Sequence, residues 1–259
     1  MKYKACVIDL DGTLLTSQKT VSARNGSAIL KAYEAGMKII IATARPPRTV
    51  LQLLPEPIHS LCSFVYYNGA LVVCPERGYY DHQAIASSVS REVIEYCLKK
   101  DPAVDLSIEV EDAWYSLKPY DDHILSQVKG KPVIITREEI GHYSPSKIII
   151  TGNRFADDLK RMYGSILQIL VTDRGNLTQI SNNQATKESG VMKLLGLYHI
   201  SPEETICFGD DFNDLGLFQL CGRSVAMGNA IDELKRIATE VTASHEDDGV
   251  ALVLEKVCM

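Results

Sequence analysis

The sequence predicts an α/β protein: a doubly wound, Rossmann-like parallel sheet interrupted by an inserted α+β unit. Three observations predict it. Apolar runs of strand length alternate with amphipathic stretches of helix length between residues 5 and 67, the pattern of a parallel sheet with right-handed crossovers. Between 82 and 182 the style changes, and strands adjoin strands. After Lys187 the first style returns. The length of 259 residues fits one to two domains at ~150 residues each. The expected division is core over 1–81, inserted domain over 82–182, and core again over 183–259.

The first strand is read at 5–10, where ACVIDL is continuously hydrophobic. A helix is expected from Ser22, a good N-cap, to Gly36, a good residue just past a C-terminus. KIIIAT at 38–43 is the second strand, a short helix lies near 48–54, and the third strand covers 63–67. The inserted unit is read as helices at 91–100 and 155–163 and strands at 106–111, 114–118, 147–151 and 168–172. Beyond it come a helix from 187 to 195, a strand at 205–209, a helix at 214–220 and a strand at 224–227. The expected core order is 3-2-1-4-5.

Composition excludes several classes. The net charge of −6 offers no electrostatic case for nucleic acid. A hydrophobic share of 46% argues against wholesale disorder. The longest uncharged stretch, 57–75, is bounded by prolines and contains polar residues, so no membrane span is expected. The amino terminus lacks the apolar region of a secretory signal. Seven cysteines with no C-x-x-C pair read as buried thiols in a reducing cytoplasm rather than as a zinc site or a disulfide framework.

Chemistry concentrates in two acidic motifs. Asp9-Leu10-Asp11-Gly12-Thr13 ends the first strand, and open α/β sheets bind ligands at the carboxyl ends of their strands. Strand alternation carried through the motif would turn both carboxylates the same way. Gly12 allows a tight turn whose amides can cradle an anion. Gly209-Asp210-Asp211-Phe212-Asn213-Asp214 follows a second apolar run. By itself it reads as an acid-rich helix start. On a strand neighbouring the first, it would bring Asp9, Asp11 and Asp210 together. Two bare carboxylates ~4 Å apart cost roughly 4 kcal/mol at an effective dielectric of ~20, so the cluster needs a cation or shared protons. An all-oxygen set points to a hard ion, magnesium first. Thr43, ending the second strand, and Lys187, opening the second half of the core, offer the hydroxyl and fixed ammonium that a phosphoryl group requires; alone they read as a helix cap and a solvated surface lysine, and their weight comes from order and position.

This order of motifs resembles the haloacid dehalogenase-like superfamily of phosphotransferases, over the whole chain. Tyr67-Asn68-Gly69-Ala70, Val225-Ala226-Met227-Gly228-Asn229-Ala230 and Asp248-Gly249-Val250 are similar to the Cof-type branch, with a large αβ cap inserted after the third strand. The resemblance implies a cytoplasmic, Mg2+-dependent phosphatase acting on a small phosphomonoester. It implies Asp9 as the nucleophile that becomes a phosphoaspartate and Asp11 as general acid and base, with its main-chain carbonyl on the metal. Asp210 would complete the protein's metal ligands, and Asn213 or Asp214 would orient the metal waters and the phosphate. Thr43, the Ala44 amide and Lys187 would hold the transferring group, with Asn68 supporting the pocket. A sugar phosphomutase is the alternative, requiring inserted-domain cations such as Lys118, Lys129 or Lys147 at a second phosphate. A ligand-binding relative without catalysis is a third reading, opposed by the intact acids.

Overall fold

The computed structural model describes residues 2–121, 125 and 130–258. The chain divides into two compact units, residues 1–81 with 186–259, and residues 82–185.

The first unit is built on an eight-stranded sheet. Its strands are β1 (Ala5–Ile8), β2 (Lys38–Ala42), β3 (Cys62–Tyr66), β4 (Leu71–Cys74) and β5 (Tyr79–His82) from the first segment of the chain. The second segment adds β12 (Thr205–Gly209), β13 (Arg223–Ala226) and β14 (Glu240–Val241). Their order is β14-β13-β12-β1-β2-β3-β4-β5. Every pair from β14 to β3 is parallel, and β4 turns back antiparallel to β3. The expected 3-2-1-4-5 order is present as β3-β2-β1-β12-β13. The sequence reading omitted the β4–β5 extension and β14, and ended the chain's last element at a strand, where the structure has the helix Gly249–Val257.

β1, β2, β3 and β12 carry Val, Ile, Phe and Cys with both faces covered, so they are almost wholly buried. From β1 the chain winds outward to β2 and β3, and from β12 it winds the opposite way to β13 and β14. Right-handed crossovers running in opposite directions put their helices on opposite faces. Helices Ala23–Glu34 and Gly249–Val257 accordingly pack on each other. Helix Leu215–Leu220 packs with Lys187–Tyr198 and Asp232–Ile237. The winding reverses between β1 and β12, the position where such sheets bind ligands.

The second unit has a mostly antiparallel sheet. Its strands are β6 (Leu106–Val110), β7 (Ala113–Ser116), β8 (Val133–Ile134), β9 (Lys147–Thr151), β10 (Leu167–Thr172) and β11 (Leu177–Asn182), in the order β10-β11-β9-β6-β7-β8. Helices Ser87–Lys100 and Ala156–Tyr163 bury Val93, Cys97 and Leu159 against Ile108, Ile148 and Ile180 of the sheet. β11 was not foreseen. This unit runs through Ala185 rather than stopping at 182. The turn after β11 stays bound to it: Asn183 donates to the Ile166 carbonyl at 3.2 Å, and Ala185 to the Asn182 carbonyl at 3.0 Å. Among the described residues no helix is long and apolar enough to cross a membrane.

Candidate active site

The site forms where β1 and β12 end side by side. Ile8 pairs with Phe208, and the Asp9 amide donates to the Phe208 carbonyl at 3.2 Å. Asp9 and Gly209 thus leave adjacent strands together. Gly12 has φ +79°, and a Cβ there would lie 2.2 Å from Asp210 Oδ2. Glycine is what lets the Asp210 carboxylate reach the first turn, where Thr13 Oγ1 donates to its Oδ1 at 2.9 Å. Gly209 does the same for Asp214, whose Cγ would lie 2.5 Å from an added Cβ.

Lys187 lies buried between Asp9 and Asp214. It opens helix Lys187–Tyr198, whose N-cap Thr186 and Ser189 bind each other's backbone amides. Its Nζ donates to Asp9 Oδ1 at 2.5 Å and to Asp214 Oδ1 at 2.7 Å, and the residue is 1% exposed. Asp214 Oδ2 accepts the amides of Asp210 at 3.0 Å and Asp211 at 3.2 Å. Burial works to lower the Lys187 pKa, but Asp214 and Asp9 outweigh it and hold the ammonium above its ordinary value. Burial pushes Asp9 up to about 8; Lys187 opposes this, and Asp214 and Asp210 add to it. Burial likewise raises Asp210 to about 6, against the Thr13 hydrogen bond.

Asp9, Asp210 and Asp214 each place a carboxylate oxygen within 4.8 Å of the others. Three carboxylates against one ammonium leave a formal charge of −2. An all-oxygen set with that charge fits one hard divalent cation such as magnesium.

The Asp11 carboxylate lies elsewhere, which corrects the expected convergence of Asp9, Asp11 and Asp210. β1 ends at Ile8 and Asp11 falls in the following turn, so strand alternation does not reach it. Its carboxylate is gripped by cations: Arg45 Nε on Oδ2 at 2.5 Å, Arg45 Nη2 on Oδ1 at 2.7 Å and Lys19 Nζ on Oδ1 at 2.7 Å. Burial favours its neutral form, but Arg45 and Lys19 outweigh it and hold Asp11 below the usual carboxylate range.

The other expected residues sit on the neighbouring loops. Thr43 is buried, its Oγ1 accepting the Arg45 amide at 3.2 Å, with Ala44 between them half-buried. The Asn68 amide donates to the Thr43 carbonyl at 2.9 Å, and Asn213 Nδ2 donates to Asn68 Oδ1 at 3.1 Å. The 67–69 turn is tight: Gly69 has φ +110°, and a Cβ there would stand 2.1 Å from the Thr186 carbonyl oxygen. Arg45, Lys19 and Thr13 received no role from the sequence. So did Asn229, whose Nδ2 donates to the Gly12 carbonyl at 2.8 Å. Arg45 had a signal, two residues beyond Thr43 on the same loop; Lys19 had none in spacing.

Of the cations a phosphomutase would need, Lys118 spends its ammonium on Asp105 at 2.5 Å and the Ala103 carbonyl at 2.9 Å. Lys147 binds Gln179 at 2.9 Å. Lys129 lies outside the described residues.

The doubly wound core carries its acids at the switch point, where such folds bind ligands, and sequence comparison supplies the class. Residues 6–254 match the model of the haloacid dehalogenase-like hydrolases, and the chain belongs to that family. Its relatives include proteins named 5-amino-6-(5-phospho-D-ribitylamino)uracil phosphatase. YitU of Bacillus subtilis is 27% identical, over 96% of this chain and 95% of its own. YbjI of Escherichia coli is 26% identical, over 99% and 97%. The crystal structure of TM0651 from Thermotoga maritima shares the fold with a TM-score of 0.89 at 25% identity, covering 98% of this chain and 97% of that one. The chain is an enzyme of this kind, a haloacid dehalogenase-like phosphatase.

Proposed function

We propose that the protein is a magnesium-dependent phosphatase of the cytoplasm that hydrolyses a small phosphomonoester through an aspartyl-phosphate on Asp9. The observation that carries this reading is the Asp9–Lys187–Asp214 arrangement beside Asp210. A carboxylate nucleophile splits hydrolysis into two displacements. Lys187 fixes Asp9 and keeps a positive charge where the phosphoryl oxygens would lie. Asp9 and Asp210 are the side chains that would hold magnesium, with the Asp11 carbonyl as a third donor, while Asp214, its oxygens engaged by Lys187 and the Asp210 and Asp211 amides, would orient them. When bound, the ion would neutralise charge on the transferring phosphoryl group.

Asp11, at the more open side, is the group for proton transfer. It would take a proton from the attacking water, and before it could give one to the leaving alcohol it would have to take one up against the pull of Arg45 and Lys19. Thr43, the Ala44 amide, Asn68 and Asn213 line the same loops and would position the phosphoryl oxygens. The activity for which those relatives are named puts a phosphorylated ribityl compound first among substrates to try. Phosphate release from an aryl phosphate is the direct test: turnover should need magnesium and stop in excess chelator. Full turnover in chelator would overturn the metal requirement, and transfer to a second substrate hydroxyl without net release would favour the mutase.

A further inference from the structure

Residues 16–20 fold into a tight turn directly after the first acidic motif. Thr16 donates to the Thr20 carbonyl at 3.0 Å, Lys19 donates to the Thr16 carbonyl at 2.8 Å, and Leu15 bridges Val21. Lys19 closes the turn at φ +60°. That left-handed conformation suits glycine, asparagine or aspartate and strains a lysine. The turn is held from outside, because the Ser17 amide donates to Glu246 Oε1 at 2.6 Å. Strain of this kind persists where the surroundings over-determine it, and it is a reason to ask what the side chain does.

The side chain supplies an ammonium, 2.7 Å from Asp11 Oδ1. Arg45 already forks onto both oxygens of that carboxylate. Lys19 adds a third donor from the more open side, its side chain 49% exposed against 27% for Arg45. Resting on the phosphatase function proposed above, we propose that Lys19 is a positioning residue, holding the Asp11 carboxylate where it can take a proton from the attacking water. Proton transfer requires the acid within hydrogen-bond reach of the reacting oxygen, and a small misplacement slows it. A carboxylate 38% exposed on a turn needs such a tether more than Asp9, which is walled in.

Strain and charge can be removed separately. Lys19→Met keeps the strained backbone and loses the ammonium, Lys19→Gly loses both, and Lys19→Arg keeps a cation. Each full-length variant, with magnesium, is assayed against p-nitrophenyl phosphate for kcat and KM, and its Tm is measured. Lys19→Met and Lys19→Gly should lower kcat about tenfold with KM within about twofold of wild type. Lys19→Gly should keep or raise Tm while losing rate, and Lys19→Arg should recover most of kcat. A Lys19→Met kcat equal to wild type, or a Lys19→Arg no faster than Lys19→Met, overturns the assignment. So does a rate loss that only follows a fall in Tm. A wild-type protein with no phosphatase turnover is instead the failure of the proposed function.

Discussion

Asp9 and Asp11 belong to one five-residue motif and occupy opposite surroundings. Asp9 is 5% exposed, and burial pushes its pKa up to about 8. Asp11 lies on a turn with its carboxylate 38% exposed, and Arg45 and Lys19 hold it below the ordinary range. The difference comes from the end of β1 at Ile8: Asp9 follows it directly, its amide still bound to the Phe208 carbonyl, and Asp11 is already in the turn. A buried acid can be fixed and desolvated for one task, while one at the rim can meet water and an alcohol. One short motif thereby supplies two carboxylates with different chemistry.

The largest effect should come from the buried acid. Asp9→Asn removes the proposed nucleophile, and turnover should fall by ~10⁴ or more, since losing a nucleophile typically costs that much. Far-ultraviolet circular dichroism should remain that of the wild type. Turnover within tenfold of wild type would break the comparison by showing that Asp9 is not the attacking group. Asp11→Asn should lose ~10²–10⁴ in rate through lost proton transfer, with Tm nearly unchanged because its carboxylate is solvent-accessible. A large drop in Tm there would show that the Arg45–Asp11–Lys19 contacts are structural in purpose.

Lys187 tests the buried side in another way. From the sequence alone, Lys187→Met should cost rate far more than stability. Burial of the ammonium between Asp9 and Asp214 changes that expectation. Breaking a buried ion pair by removing one partner costs ~3–5 kcal/mol because the remaining charge is uncompensated. Loss of a preorganised charge costs a further ~10²–10³ in rate. Lys193→Met, on the same helix, is the control. Lys193 meets Asp81 at 2.7 Å with its side chain 31% exposed, and exposed pairs are worth ~0–1 kcal/mol. Equal small effects in both variants would place Lys187 outside the site.

The parallel strands were legible because each is a continuous apolar run, and the residues that end them were legible because polar groups stop those runs abruptly. Asp9, Thr43 and Asp210 belong to that group; Lys187 was read from its place opening the second half of the core, and its ammonium meets Asp9. β4 and β5 were passed over because the 67–69 turn that folds β4 back depends on left-handed backbone at Tyr67, Asn68 and Gly69, which no hydrophobic period reports. Asp214 was read as an orienting residue, and its direct hold on Lys187 appears only once β12 and helix Lys187–Tyr198 are in space. Lys19 and Arg45 were missed for the same kind of reason. Their partner, Asp11, is reached through a turn conformation and a neighbouring loop, and linear spacing encodes neither.

The smallest effect is a pH dependence, and it sharpens the comparison because it belongs to the buried acids alone. Asp9 and Asp210 have folded pKa values raised to about 8 and about 6 from an ordinary 3.8. A carboxyl raised on folding contributes stability that is present below its unfolded value and is lost as pH rises through its folded value. Without metal, the protein should therefore lose stability between about pH 4 and pH 8, as burial of the ionising acids goes uncompensated. For Asp210 the loss is about 2 kcal/mol after allowing for its partial exposure, or roughly 4–8 °C in Tm. Magnesium binds the ionised carboxylates and should restore the stability that ionisation removes. Its effect on Tm should be larger at pH 8.5 than at pH 5.5, where protons compete for the same oxygens. Asp11, already ionised across this window, adds nothing to the slope, so Asp11→Asn should show the same pH profile as wild type. A magnesium shift in Tm of equal size at both pH values would mean that Asp9 and Asp210 are not the acids that bind the ion.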